Sequence, residues 1–293
     1  MRSVFFVLFF MIPLWKTAIA QEDLMDLVDQ ETQQEPIYTE QTFKGSRLIN
    51  GHSIETRKKG VLDVIISHRF GRLNSGAYEL FGLDETNVRL GADYGITDRL
   101  NAGFGRNSFE KTYDAFLKYK IVRQQKNSSR NMPVSVAGFS SMALKTLKTG
   151  DPVGEPDLNA RLTYSYQVIL AKKFNPSFSL QLSPTLIHRN SVAEGQDPND
   201  IFALGAGGRI KLNKRLSLNG EYYYQFNRVP DSAIQNSVAI GFDIETGGHV
   251  FQLHFTNSRA MIEKGFITET TGNFFDGDIH FGFNISRVFQ LHE

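Results

Sequence analysis

Residues 87–105 read Asn-Val-Arg-Leu-Gly-Ala-Asp-Tyr-Gly-Ile-Thr-Asp-Arg-Leu-Asn-Ala-Gly-Phe-Gly, and this stretch decides the fold class. Apolar and polar residues alternate on both sides of a short break at residues 96–99. Such alternation is typical of β-strands, because successive side chains of a strand point to opposite faces. The stretch therefore predicts a β-hairpin that has one apolar face and one polar face.

The same period of two continues along the chain from residue 61 to residue 289. It divides into about twelve runs, most of which have the roughly 9–11 residues that a membrane-spanning strand needs. Short turns such as residues 175–176 alternate with long loops such as residues 257–277. Short turns on one rim and long loops on the other are typical of outer-membrane barrels. We predict an all-β fold, a single antiparallel up-and-down transmembrane β-barrel of about 12 strands with a short acidic N-terminal tail.

Alternation alone does not tell which face meets lipid, since a soluble barrel or sandwich alternates too. The polar faces carry many Gly and Ser residues, which suit a crowded lumen, and Tyr and Phe recur near the ends of the apolar faces, as in interfacial girdles. Twelve apolar faces also supply more bulk than a small interior holds. The apolar faces are therefore predicted to point outward into lipid.

Composition excludes several classes of protein. The chain has 293 residues, a net charge of +1 and no cysteine. It cannot form disulfides, thiolate metal sites or a lipid-anchored cysteine, and it lacks the basic character of a nucleic-acid-binding protein. A mean hydropathy of −0.28 with one long apolar run excludes a helical membrane bundle.

The chain divides into three regions. Arg2, an apolar stretch over residues 4–15 and small residues at 18–20 predict a signal peptide over residues 1–20. Residues 21–59 begin with an acidic stretch and form a solvated periplasmic tail or, alternatively, a plug that folds into the pore, the tail being favoured because the segment is so polar. Residues 60–289 form the barrel. The protein is expected in the outer membrane of a Gram-negative cell, with both barrel termini periplasmic.

The polar faces of the strands supply the candidate lumen-lining residues. These are Asp63, Arg89, Asp93, Asp114, Lys118, Lys120, Arg161, Arg209, Lys211, Glu221, Asp243, Glu245, His254 and His280. Charges of both signs fit two interpretations, interstrand ion pairs that stiffen a closed barrel or a polar pathway for small solutes. The predicted strand number leaves both open, because it falls between filled eight-strand barrels and open porins.

Catalytic and metal-binding motifs are weak. The sequence has no Gly-rich phosphate loop, His-Glu-x-x-His or Gly-x-Ser-x-Gly element. His254 and His280 lie on the polar face of the last two strands, but a metal needs three or four ligands, so we expect no metal and no cofactor. His68 and His188 lie on apolar faces, where an outer-membrane lipid-modifying enzyme would carry its histidine. Neither has an evident Ser partner, and the protein is not expected to be an enzyme.

Seven segments resemble one known family. They cover residues 42–52, 66–72, 78–84, 94–100, 109–114, 253–259 and 282–287. In these segments the chain resembles the Bacteroidetes outer-membrane β-barrel family catalogued as domain of unknown function 5777, over about residues 42–289. The resemblance implies an outer-membrane location and a single barrel, and it implies no particular activity.

We therefore expect an outer-membrane protein in contact with outer-membrane lipid, acting as a narrow porin-like channel or transporter for a small polar solute. The alternative is a non-conducting structural or assembly barrel that binds a periplasmic protein through residues 21–59. No nucleic-acid partner is expected.

Overall fold

The computed structural model of the chain describes residues 36–126, 131–148, 150, 156–192, 198–229, 232–246 and 249–291. The predicted signal peptide and residues 21–35 of the predicted tail lie outside these residues. Twelve antiparallel strands form a closed barrel, in which each strand pairs with its neighbours in sequence and the last pairs with the first. The predicted fold class is confirmed. No helix in the described ranges has the length and apolar character needed to cross a bilayer.

The barrel strands are numbered here in chain order. They are β1 (Val61–Arg72), β2 (Thr86–Gly95), β3 (Leu100–Asn107), β4 (Tyr113–Val122), β5 (Ser135–Leu144), β6 (Leu162–Lys173), β7 (Phe178–Arg189), β8 (Asp200–Lys211), β9 (Leu216–Gln225), β10 (Ser237–Thr246), β11 (His249–Thr256) and β12 (His280–Gln290). One α-helix, α1 (Glu263–Thr268), lies between β11 and β12. The rim that carries the chain ends of the barrel is called the short-turn rim, and the opposite one the long-loop rim.

The apolar faces of the strands point outward. Side chains along β1 alternate between buried and partly exposed, and the buried ones are those at odd-numbered positions, such as Asp63 and Arg69. Large apolar residues such as Leu90, Phe104 and Leu117 are more than half exposed on the outside. In a membrane these side chains contact lipid, because the outward band of such barrels is apolar.

Two chain segments fill the barrel. Residues 42–54, called the lumen hairpin, are almost all buried, and they enter from the short-turn rim. Residues 257–272, called the lumen loop, turn inward from the long-loop rim and bury every residue of α1. The interior is therefore occupied from both rims, which strand alternation does not predict.

Inward-facing glycines make room for large neighbouring side chains. A Cβ at Gly105 would lie 2.3 Å from a guanidinium nitrogen of Arg89, and one at Gly103 would lie 2.1 Å from the ring of Phe116. Across this space Arg89 of β2 reaches over β3 to Asp114 of β4, with Nε–Oδ1 and Nη2–Oδ2 distances of 2.9 and 2.5 Å. The buried bidentate pair ties together two strands that are not adjacent.

The connection between β4 and β5, over residues 123–134, is long for the short-turn rim, and it contacts the N-terminal segment. Gln125–Lys126 pairs with Ile37–Tyr38 in a small antiparallel sheet at the short-turn rim. The guanidinium of Arg123 also lies 4.4 Å from the centroid of the Tyr38 ring. The connection is thus long because it supplies a partner strand to the segment that precedes the lumen hairpin.

Candidate functional site

The lumen hairpin reverses direction over four residues. Arg47 bridges His52, and backbone hydrogen bonds join Leu48 to Gly51 and Ser53 to Ser46. The Asn-Gly dipeptide at residues 50–51 was the local signal for this turn, since such dipeptides mark chain reversals. The periodicity of the strands could not reveal it, because the segment is too short to show a period.

The tip of the hairpin is bound by the barrel wall. Glu221 of β9 accepts the backbone N–H of Asn50 at 2.8 Å and those of Ile49 and Gly51 at 3.3 Å. Arg69 of β1 donates from Nη2 to Asn50 Oδ1 at 2.7 Å. These wall side chains replace water as the hydrogen-bond partners of the turn. The backbone groups of the turn are therefore buried without the cost of an unmade hydrogen bond.

The base of the hairpin is bound by charges of the opposite wall. The Lys118 ammonium, buried in β4, donates to the carbonyls of Ser46 and Ser53 at 3.3 and 3.1 Å. Ser46 in turn donates its hydroxyl to Asp93 Oδ2 at 2.7 Å. A lysine and an aspartate of the wall thus hold the two chains of the hairpin where they diverge.

Amide side chains and apolar contacts hold the flanks. Gln181 accepts from the Ile54 N–H and donates to the His52 carbonyl, at 2.9 and 2.8 Å. The His52 ring lies 4.4 Å from the ring centroid of Phe116. A Cβ at Gly207 would lie 2.1 Å from a methyl group of Leu48, so glycine at this position admits the hairpin.

Ion pairs close the entrance at the short-turn rim. Lys44 lies 2.7 Å from Glu245, and Arg57 pairs with the buried Asp63. Glu55 lies 3.6 Å from Lys120. These charges of the wall pair with the N-terminal segment rather than with each other, unlike Arg89 and Asp114.

The lumen loop meets the barrel wall through backbone and aromatic contacts. Arg69 Nη1 donates to the carbonyls of Ser258 and Ala260, at 2.5 and 3.2 Å. The ring of Phe266 lies edge-on to that of Tyr223, with centroids 4.9 Å apart. Arg69 is thus a contact of both segments that fill the lumen.

A chain of ion pairs holds α1 at the long-loop rim. Lys264 lies 2.8 Å from Glu110, which also pairs with Lys145, and Lys264 pairs with Glu269 as well. Burial alone would raise the pKa of Glu110, but Lys264 and Lys145 outweigh it, so that this pKa lies below its ordinary value. The network joins the lumen loop to the turn between β3 and β4 and to the end of β5.

The other sequence-predicted lumen residues contact strand neighbours or rim groups. Arg209 donates to Ser217 at 2.8 and 3.0 Å, and Asp243 accepts from Gln252 at 2.8 Å. Lys211 is half-buried near the short-turn rim. Arg161 lies in a short turn before β6 rather than in a strand, and donates to the Pro156 carbonyl.

The histidines are distributed between the lumen and the outer face. His254 Nε2 lies 3.1 Å from Arg69 Nη2, and His280 Nδ1 lies 2.8 Å from the Phe70 carbonyl. Among the described residues no group of three or more His, Asp and Glu is placed to hold a metal ion. On the outer face His68 stacks on Phe283, and His188 Nδ1 lies 2.7 Å from Asp200. In the described part of the chain no serine is hydrogen-bonded to His188.

Comparison with solved structures gives porins at very low sequence identity. The NanC porin shares 10% identity at a TM-score of 0.48, covering 79% of this chain and all 100% of that one. The KdgM porin shares 8% identity at a TM-score of 0.47, covering 78% and 99%. Omp33 of Acinetobacter baumannii shares 10% identity at a TM-score of 0.40, covering 78% and 97%. A comparison with curated proteins gives no match.

Comparison with family profiles gives one match, described as "Membrane bound beta barrel domain (DUF5777)", over residues 43–289. This range begins inside the lumen hairpin and ends in β12, so the profile covers the barrel and most of the hairpin. A closed antiparallel barrel with an outward apolar band is the architecture of outer-membrane proteins. The chain belongs to this family of membrane-bound β-barrel domains and is an outer-membrane protein.

Proposed function

We propose that the protein is a narrow porin-like channel or transporter for a small polar solute, and that the lumen hairpin closes it in the state described here. In this proposal the cell is Gram-negative and both barrel termini lie on the periplasmic side, as is usual for barrels with short turns on that rim. A barrel of this size leaves space for a narrow aqueous path once an inserted segment is removed.

The observation that carries the proposal is the way the hairpin is held. Its contacts to Glu221, Lys118 and Gln181 are hydrogen bonds to polar side chains, and among the described residues no barrel strand pairs with it. If the hairpin withdraws, these side chains line a polar path with charges of both signs, which suits small polar solutes. Gly207 supports the same interpretation. In a barrel whose interior is filled by its own strands, a side chain at position 207 would occupy the space that Leu48 of the hairpin takes here.

The segment before the hairpin supplies a means of withdrawal. The acidic residues 21–40 are continuous with residues 42–54, so a periplasmic protein that binds the acidic stretch could pull on the hairpin. The second candidate function is a non-conducting structural or assembly barrel that binds such a partner through residues 21–59. The filling of the lumen from both rims favours this second candidate.

Planar-bilayer recordings separate the two functions. The variant Gly207→Val places a branched side chain against a terminal methyl group of the buried Leu48, and we expect this clash to loosen the hairpin without removing it. We expect discrete conductance steps from this variant and from a deletion of residues 42–54, and much rarer steps from the unaltered chain. Gly138→Val is the matched control, because a Cβ at Gly138 meets only one methyl group, 4.0 Å away.

Each variant is first tested for heat-dependent migration on gels, which reports a folded barrel. If folded Gly207→Val and the folded deletion show no conductance at any salt concentration or voltage, the channel function is overturned and the structural barrel remains. Equal conductance of Gly207→Val and Gly138→Val would show that the hairpin does not close the path.

A further inference from the structure

A cavity of about 480 Å³ opens at the long-loop rim. One wall is the loop between β1 and β2, which supplies Glu79 and Glu85, and the other is the lumen loop, which supplies Arg259 and Glu269. The volume falls within the range of small-molecule sites, about 300–1,000 Å³. The cavity therefore lies between a wall of the barrel and a segment that fills the lumen.

The cavity holds a cation and two carboxylates with few partners. The side chain of Arg259 is 44% exposed, and the one ion pair that it forms with the described residues, to Glu85, is long at 3.6 Å. It lies 5.5 Å from the ring centroid of Phe109, which covers one face of the guanidinium. Within the described residues the side chain of Glu79 has no hydrogen bond or ion pair.

The remaining charges of the cavity are already engaged. Arg72 contacts Asp278 at 3.3 Å, and Glu269 pairs with Lys264. Hydrogen bonds from Asn74 and from the Asn273 N–H lower the pKa of Asp278, which keeps it charged as the partner of Arg72. The charged groups of the cavity that remain to bind a ligand are thus the guanidinium of Arg259 and the carboxylates of Glu79 and Glu85.

Three neutral polar side chains of the cavity already donate to carbonyl groups of the protein. Ser75 donates to the Arg72 carbonyl at 2.6 Å, Thr270 to the Phe266 carbonyl at 2.8 Å, and Asn257 to the Gly272 carbonyl at 2.8 Å. A sugar, which needs many neutral donors and acceptors, would find few of them here. A ligand with one charge of each sign would find a partner for both.

We propose that this cavity binds a zwitterionic solute of the size of an amino acid or dipeptide. Its carboxylate pairs with the edge of the Arg259 guanidinium, as planar guanidinium and carboxylate groups do. Its ammonium group lies between the carboxylates of Glu79 and Glu85. The proposal rests on the proposed function and gives its solute a chemical class.

The position of Arg259 links this binding to the lumen. Arg259 is next to Ser258 and Ala260, whose carbonyls accept from Arg69, and Arg69 also holds the hairpin tip. A solute that draws Arg259 away from Glu85 therefore acts on the residues that keep the lumen loop in place.

Titration calorimetry of the full chain in detergent micelles tests the site with glycylglycine as the probe. We expect saturable binding of glycylglycine, weakened about tenfold or more in N-acetylglycylglycine and in glycylglycinamide, since each lacks one charge-assisted interaction. Glucose is expected not to bind. Arg259→Gln and Glu79→Gln are each expected to weaken glycylglycine by about tenfold, and Arg259→Lys by less. Arg287→Gln, which removes an exposed arginine that lies over Phe289 on β12, is the matched control.

No binding of glycylglycine, binding of either blocked peptide as tight as that of glycylglycine, or unchanged affinity of folded Arg259→Gln would overturn the site. If a variant fails to fold, the ligand series on the unaltered chain decides the question. Calorimetry measures binding to the closed protein. If glycylglycine binds but no conductance is recorded in planar bilayers, the channel alone is refuted. Conductance without binding would refute the cavity alone.

Discussion

Arg69 on the barrel wall binds Asn50 at the tip of the lumen hairpin, with Nη2 and Oδ1 2.7 Å apart. The other terminal nitrogen of the same guanidinium donates to Ser258 and Ala260 of the lumen loop. A guanidinium is planar and rigid, so a shift that suits one segment misplaces the donors of the other. Loss of this guanidinium is therefore expected to loosen both segments that fill the barrel.

Arg69→Met should expose both segments. Because the chain has no cysteine, a single introduced thiol reports on one position. Ile49→Cys in the hairpin and Met261→Cys in the lumen loop replace residues that are 2% and 4% exposed. Each charge-assisted hydrogen bond lost is worth about 1.5–3 kcal/mol, so maleimide labelling of both thiols should rise about tenfold or more. Labelling of Ser177→Cys on the short-turn rim should not change, and a rise at one buried position alone would contradict the coupling.

Glu221→Gln should expose the hairpin and spare the lumen loop. The carboxylate accepts from the backbone N–H of Ile49, Asn50 and Gly51, whereas an amide keeps one acceptor and points its own donors at these groups. Labelling of Ile49→Cys should increase several-fold and labelling of Met261→Cys should stay low. Equal increases at both thiols would mean that Glu221 acts on the whole lumen and not on the hairpin.

Retention of α1 should depend on pH through Glu110. The pKa of this carboxyl is lowered from its ordinary value of 4.5 in the folded protein, so its contribution is complete above pH 4.5 and is lost as the pH falls further. Hydrogen exchange of residues 263–268, corrected for the intrinsic rate, should accelerate below that pH. In Glu110→Gln the exchange should be faster at neutral pH already, and its corrected pH dependence should be weaker. A variant with unchanged exchange at pH 7 would remove Glu110 from the retention of α1.

A charged residue introduced on the lipid-facing band should destabilise the barrel more the closer it lies to the midplane of the bilayer. Leu182 lies near the middle of β7 and is 47% exposed, whereas Leu212 lies in a turn at the short-turn rim and is 52% exposed. Arginine costs about 2–4 kcal/mol at the midplane of a bilayer and about 0–1 kcal/mol near its interface. Leu182→Arg should therefore lower the free energy of unfolding in vesicles much more than Leu212→Arg. Similar losses for the two variants would contradict the assigned lipid-facing band.

The facing of the strands followed from the period of two in the sequence, and their order followed from the short turns and long loops between them. The alternation around Asp93 and Glu221 was enough to predict their common inward face, and both side chains are buried there. The hydrogen-bond partners of these residues could not be predicted from the sequence. The partners Ser46 and Asn50 lie 47 and 171 residues away, in a segment that shows no regular alternation of apolar and polar residues. Phe116 is an apolar residue on an otherwise polar face. Its position is explained only by the structure, in which the His52 ring packs against it.

The sequence by itself determined that the chain forms an up-and-down barrel with an apolar outer face, because alternation and turn length are local properties of the chain. Only the tertiary structure decided that the barrel is filled. Residues 42–54 and the lumen loop are held inside because wall groups such as Arg69, Lys118 and Glu221, from distant strands, converge on their backbone groups. The backbone donors and acceptors of such a segment need partners inside the lumen, and these partners, which come from distant strands, converge only once the barrel has closed.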